Sequence, residues 1–180
     1  TGGGAGQNMV HLNNGSGKYA LSDTSIVGPP SFGSTETMAF GDVNGDGHLD
    51  LAVHNIANQS YIYLNDGRGK FAQGDTSNVG DATGGPINAA AFIDVDLDGD
   101  LDILHCNQGV ASNQDVVFLN NGVGKFALGD SSQVGFDGFS SNDVDVGDAD
   151  GDGEPTARTF GDNGGSGPAG GNTEPGAHCH

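Results

Sequence analysis

A short acidic segment recurs three times at nearly even spacing, and it limits what the chain can fold into more than any other feature. It reads Asp42-Val43-Asn44-Gly45-Asp46-Gly47-His48-Leu49-Asp50, then Asp94-Val95-Asp96-Leu97-Asp98-Gly99-Asp100-Leu101-Asp102, then Asp148-Ala149-Asp150-Gly151-Asp152-Gly153-Glu154-Pro155-Thr156. A second element repeats in step with it: Leu12-Asn13-Asn14-Gly15-Ser16-Gly17-Lys18-Tyr19, Leu64-Asn65-Asp66-Gly67-Arg68-Gly69-Lys70-Phe71, and Leu119-Asn120-Asn121-Gly122-Val123-Gly124-Lys125-Phe126. A period of about fifty residues is that of a propeller blade or a similar sheet unit.

Both elements sit between strand-like runs. The second follows Met9 to Leu12, Tyr61 to Leu64 and Val116 to Leu119, and its Asn-Gly or Asp-Gly supplies the positive φ of a tight hairpin. The first is flanked by Thr37 to Phe40 and Leu51 to His54 in one copy, and by Ala89 to Ile93 and Ile103 to Cys106 in the next. The acidic segment therefore joins two neighbouring strands. With 34 glycines and 34% apolar residues, the chain has little material for one bulky core and reads as all-β.

Oxygens at alternate positions of a tightly turned loop converge on one point, the arrangement that a hard cation with six to eight oxygen ligands requires. In the first loop Asp42, Asn44 and Asp46 offer side-chain oxygens, His48 its backbone carbonyl and Asp50 a closing carboxylate. Asp94, Asp96, Asp98, Asp100 and Asp102 take the same parts in the second, and Asp148, Asp150, Asp152 and Glu154 serve the third. Gly47, Gly99 and Gly153 permit the sharp turn. Magnesium demands a stricter octahedron and zinc favours His or Cys side chains, so calcium is the expected ion. Thr156 replaces the closing Asp of the third loop and Pro155 precedes it, so two strong sites and a weaker third are expected. A helix-loop-helix calcium hand is excluded, because its twelfth position must be Glu and here holds Val53, His105 and Thr159. Solvated Asp-Gly turns explain one such loop but not three in phase, each crowding like charges.

A formal charge of −19, from 24 acidic against five basic residues, opposes nucleic acid and anionic lipid as partners. No run is long enough for membrane insertion. The Gly-x-Gly-Lys of the second element is no phosphate loop, since an aromatic stands where Ser or Thr must follow the Lys. An enzyme is not expected: the carboxylates are better explained as metal ligands, and no nucleophile motif such as Gly-x-Ser-x-Gly occurs. The histidines form no pair at metal-ligand spacing, and packing accounts for His54 and His105. For Cys106 a disulfide to Cys179 or another chain and simple burial in a strand are both open. Asn14 and Asn58 lie in glycosylation sequons.

The two repeated elements resemble the calcium-binding repeats of integrin α-subunit propellers, known as FG-GAP or VCBS repeats, over roughly residues 7–161. The resemblance implies four-stranded antiparallel blades whose Asp-rich loops join two strands, and a role in adhesion or sugar recognition or as an accessory domain. The expected architecture is all-β, with propeller-like blades incomplete in one chain. Residues 1–21 form the second half of a blade, 36–73 a blade with loop 42–50, 86–128 a blade with loop 94–102, 142–162 the first half of a blade with loop 148–156, and 163–180 a Gly-rich tail.

Half-blades expose sheet edges, so the expected partners are copies of the chain itself, one chain's end completing another's, in a closed ring or a filament. A fragment of a longer propeller is the competing reading. The function expected is that of an extracellular calcium-binding structural or adhesive protein, secreted or at the cell surface, where calcium is abundant. The alternative is a lectin-like module with glycans as partners, against which stand the absence of Trp and the 7% aromatic content.

Overall fold

The computed structural model describes residues 8–27, 35–55, 60–74, 79, 87–107, 115–130, 141–149 and 151–161. Among them are twelve strands and no helix: β1 (Asn8–Asn13), β2 (Tyr19–Val27), β3 (Thr35–Gly41), β4 (Asp50–Asn55), β5 (Tyr61–Asn65), β6 (Phe71–Gln73), β7 (Ile87–Ile93), β8 (Asp102–Asn107), β9 (Val116–Asn120), β10 (Phe126–Leu128), β11 (Ser141–Gly147) and β12 (Thr156–Gly161). They form two four-stranded sheets, β3-β4-β5-β6 and β7-β8-β9-β10, and two two-stranded sheets, β1-β2 and β11-β12. Every pairing is antiparallel, and β4 sets Val53 opposite both Met38 and Tyr61. The architecture is all-β and made of propeller-like blades.

The core lies between sheets, which is how a chain so rich in glycine buries enough surface. Strand β4 is buried along its whole length, because successive side chains point to opposite faces and both faces are covered. On one face Leu51, Val53 and Tyr63 pack with Val27 and Val10 of the first sheet. On the other, Ala52 and Ile62 pack with Ile103, Val116, Phe118 and Phe126 of the next sheet. The third interface joins Leu104 and Val117 to Val144 and Ala157. Strands β3, β7 and β11 lie side by side as the first strands of successive units.

The hairpins differ from the tight turn expected. Positive φ does fall on Gly15, Gly67 and Gly122, but the loop is wider, closing with a backbone bond from Asn14 to Lys18, from Asp66 to Lys70 and from Asn121 to Lys125. The Asn or Asp carboxamide or carboxylate fills the loop: Asp66 Oδ1 accepts from the amides of Arg68 and Lys70, and Asn121 Oδ1 from those of Val123 and Lys125. A side chain that bonds backbone two residues on holds such a turn open. The tail 163–180, Asn58 and Cys179 lie outside the described residues. Cys106 is buried as a free thiol, with Sγ 3.9 Å from the Asp143 carbonyl; burial, with Asp115 and Asp143 nearby, raises its pKa far above the usual thiol range.

Candidate metal centre

Each acidic loop leaves the end of one strand and enters the next: β3 to β4, β7 to β8, and β11 to β12. The first Asp organises the turn by accepting backbone donors from further along. Asp42 takes the amides of Asp46 at 3.1 Å and Gly47 at 2.8 Å, Asp94 those of Asp98 at 3.1 Å and Gly99 at 3.0 Å, and Asp148 those of Gly151 at 2.7 Å and Gly153 at 3.0 Å. The Asp four places on repeats this on a smaller scale, as Asp46 accepts from His48, Asp98 from Asp100 and Asp152 from Glu154, each at 2.9 Å. Backbone that turns this sharply requires positive φ, which Gly47, Gly99 and Gly153 adopt at 85°, 96° and 90°.

The closing Asp has a second duty that the sequence did not disclose. Asp50 and Asp102 are fully buried, and each bridges its loop to the hairpin of the same blade. Asp50 accepts from the Val43 amide at 3.1 Å and the Asn65 amide at 2.8 Å; Asp102 accepts from the Val95 amide at 2.9 Å and the Asn120 amide at 2.8 Å. The Asn side chains return the contact, Asn65 Nδ2 donating to Leu49 O at 3.0 Å and Asn120 Nδ2 to Leu101 O at 3.1 Å. Asn65 and Asn120 are thus supports of the loops, and their signal was the Asn that follows Leu in all three hairpin elements.

Carboxylate oxygens of Asp94, Asp96 and Asp102 lie within 4.8 Å of one another, close enough to share one ion. Asp98 and Asp100 stand outside that group; the Asp100 carboxylate lies against the hairpin glycine Gly122, as the His48 imidazole lies against Gly67. Loop 1 brings together Asp42, Asn44 and Asp46 through hydrogen bonds, with Asn44 Nδ2 donating to Asp46 Oδ2 at 3.1 Å. It carries two carboxylates fewer, since Asn44 and His48 stand where loop 2 has Asp96 and Asp100. In loop 3 Asp148, Asp152 and Glu154 hold the same order along the turn, and Asp150 lies outside the described residues.

Crowding shows in the electrostatics. Burial raises the pKa of Asp102, the amides of Asn120 and Val95 pull it partly back, and Asp96 and Asp98 push it up again. Asp50 is raised in the same way, by burial first and then by Asp46 and Asp42, against the amides of Asn65 and Val43. Asp100 is raised by desolvation and then by Asp98, Asp94 and Asp96. A donor set of oxygens alone, several of them anionic and mutually repelling, fits a hard divalent cation such as calcium and offers zinc nothing it prefers.

Four-stranded antiparallel sheets stacked face to face, with an acidic loop at the same place in each, define a β-propeller repeat protein. The model of the FG-GAP-like repeat family matches residues 1–53 and 42–105, and the chain belongs to that family. No curated protein matches it closely enough to stand as a relative. No helix among the described residues is long and apolar enough to cross a membrane.

Proposed function

We propose that the chain is an extracellular, calcium-binding structural or adhesive repeat protein that self-associates by completing blades between chains. The observation that carries the calcium reading is the convergence of Asp94, Asp96 and Asp102 on one point, in a loop whose turn bonds recur in loop 1 and in part in loop 3. Carboxylates set so close gain most from a cation between them. The reading is non-enzymatic: the acidic groups are ligands and turn-formers, and none is assigned a reaction. Outside the cell, where calcium is abundant, sites of modest affinity stay filled.

Copies of the chain are the partner we propose. The described ends are two-stranded sheets, β1-β2 and β11-β12, beside four-stranded middle units. Where Phe92 of the next unit covers Gly41, no described atom comes within 4 Å of the equivalent place at Gly147. The exposed Met9 and Tyr19 of β1 and β2, and Val146 of β11, are apolar surface for a neighbour to bury.

Calorimetric titration of the metal-free chain tests the calcium reading. Two strong sites and a weaker third are expected, and D94N/D96N should delete one of the strong ones. No heat of binding, or a stoichiometry that D94N/D96N leaves unchanged, would contradict it.

A further inference from the structure

One residue touches both complete acidic loops. Asn120 ends β9, in the second complete blade, and is 6% exposed. Its backbone amide donates to Asp102 Oδ1 at 2.8 Å, and Asp102 Oδ2 in turn accepts from the Val95 amide of loop 2 at 2.9 Å. Its side-chain Nδ2 reaches the preceding blade, donating to the Val43 carbonyl at 2.8 Å, while Val43 donates its own amide to Asp50 Oδ2 at 3.1 Å. The path Asp50–Val43–Asn120–Asp102–Val95 therefore runs without a gap from the closing carboxylate of one loop to that of the other. Apolar packing reinforces it: Val43 is 1% exposed and lies in the core shared by the two blades, with Val116, Phe118 and Phe126.

We propose that Asn120 is a positioning residue that couples loops 1 and 2, so that an ion in either loop raises the affinity of the other. This rests on the calcium reading. A loop whose closing Asp is drawn to an ion fixes the backbone at Asn120. Once fixed, the Asn120 side-chain carboxamide holds the Val43 carbonyl, and with it the residue whose own amide bonds Asp50. The second ion then meets a loop already ordered, and the ordering cost is smaller. Coupling is reciprocal by thermodynamic necessity, with factors of roughly fivefold and upward typical between linked sites. Asn65, the equivalent residue one blade earlier, bonds Asp50 and Leu49 of its own blade. The long reach to a neighbouring loop thus belongs to Asn120, across one blade boundary.

The test is a double-mutant cycle on the full chain, with loop 1 read alone through the NMR shift of the Gly47 amide during calcium titration. With Asn120 intact, D94N/D96N should weaken calcium at loop 1 by about fivefold or more. In the N120A background the same pair of changes should leave loop 1 within about twofold, the scatter expected of independent sites. An equal loss with and without Asn120, or no loss in either, overturns the coupling while leaving calcium binding intact; a Gly47 amide that never responds to calcium sinks both. Should N120A fail to fold, hydrogen exchange at the Val43 amide replaces it. In D42N/D46N, where loop 1 is crippled, calcium at loop 2 should slow that exchange by about fivefold or more, and an unchanged rate overturns the proposal.

Discussion

At position 97 the second loop places a leucine where the others have Gly45 and Gly151, and the backbone keeps the glycine conformation. Leu97 has φ of 62°, against 71° and 80° for the two glycines. A side chain in the left-handed region costs about 1–2 kcal/mol, and Leu97, 52% exposed, recovers little of that by packing. Replacing it with glycine removes the strain but adds freedom to the unfolded chain, which takes back about 0.5–1 kcal/mol. L97G should therefore be more stable by about 0.5–1 kcal/mol, read as a higher denaturant midpoint in saturating calcium. A lower midpoint would show that the leucine has a contact that outweighs its backbone. This position was legible once the three loops were aligned, since two of the three have Gly there.

Strands β4 and β8 meet through a pair of histidines that the repeat does not reveal. His54 and His105 are buried and stand edge to face with ring centres 4.4 Å apart. His54 Nδ1 bonds the Ser60 hydroxyl at 3.0 Å, Phe118 flanks His105, and neither Nε2 has a hydrogen-bond partner among the described residues. Burial drives the His54 pKa down to about 3, and burial followed by the neighbouring His54 holds His105 well below its ordinary value. Both are neutral in the fold and take protons on unfolding. Stability is then complete above the unfolded value of about 6.5 and is lost as pH falls below it. At pH 5.5 the loss is about 1.4 kcal/mol for His54 alone, and unfolding at fixed, saturating calcium should show it. H54L and H105L should each flatten the slope between pH 7 and 5; an unchanged slope in both would contradict the account.

The loops and strands were readable because each unit restates them: the hairpin element marks β5-β6 and β9-β10, and the Asp spacing marks the turns. The histidine pair was not, because His54 lies four residues after Asp50 and His105 three after Asp102. Aligning the repeats never matches them. With side chains alternating across a strand, that one-residue offset puts the two on opposite faces of equivalent strands. Those are the faces that meet when one blade packs on the next. Asn120 was hidden for a related reason: its Asn is visible in every copy, but its bond to Val43 spans a blade boundary.

At the scale of the molecule, apolar contact between successive sheets and metal loops at one place in each unit depend on each other. Val43 is both a loop residue and part of the inter-blade core, so a loop loosened by charge repulsion loosens the stack. Calcium in the loops should consequently hold units together, within a chain and between the two-stranded sheets of different copies. Light scattering in millimolar calcium and again after chelator tests this most directly. The account predicts a particle of two or more copies that falls to a single chain when calcium is removed. A single chain of the same mass in both conditions would contradict it.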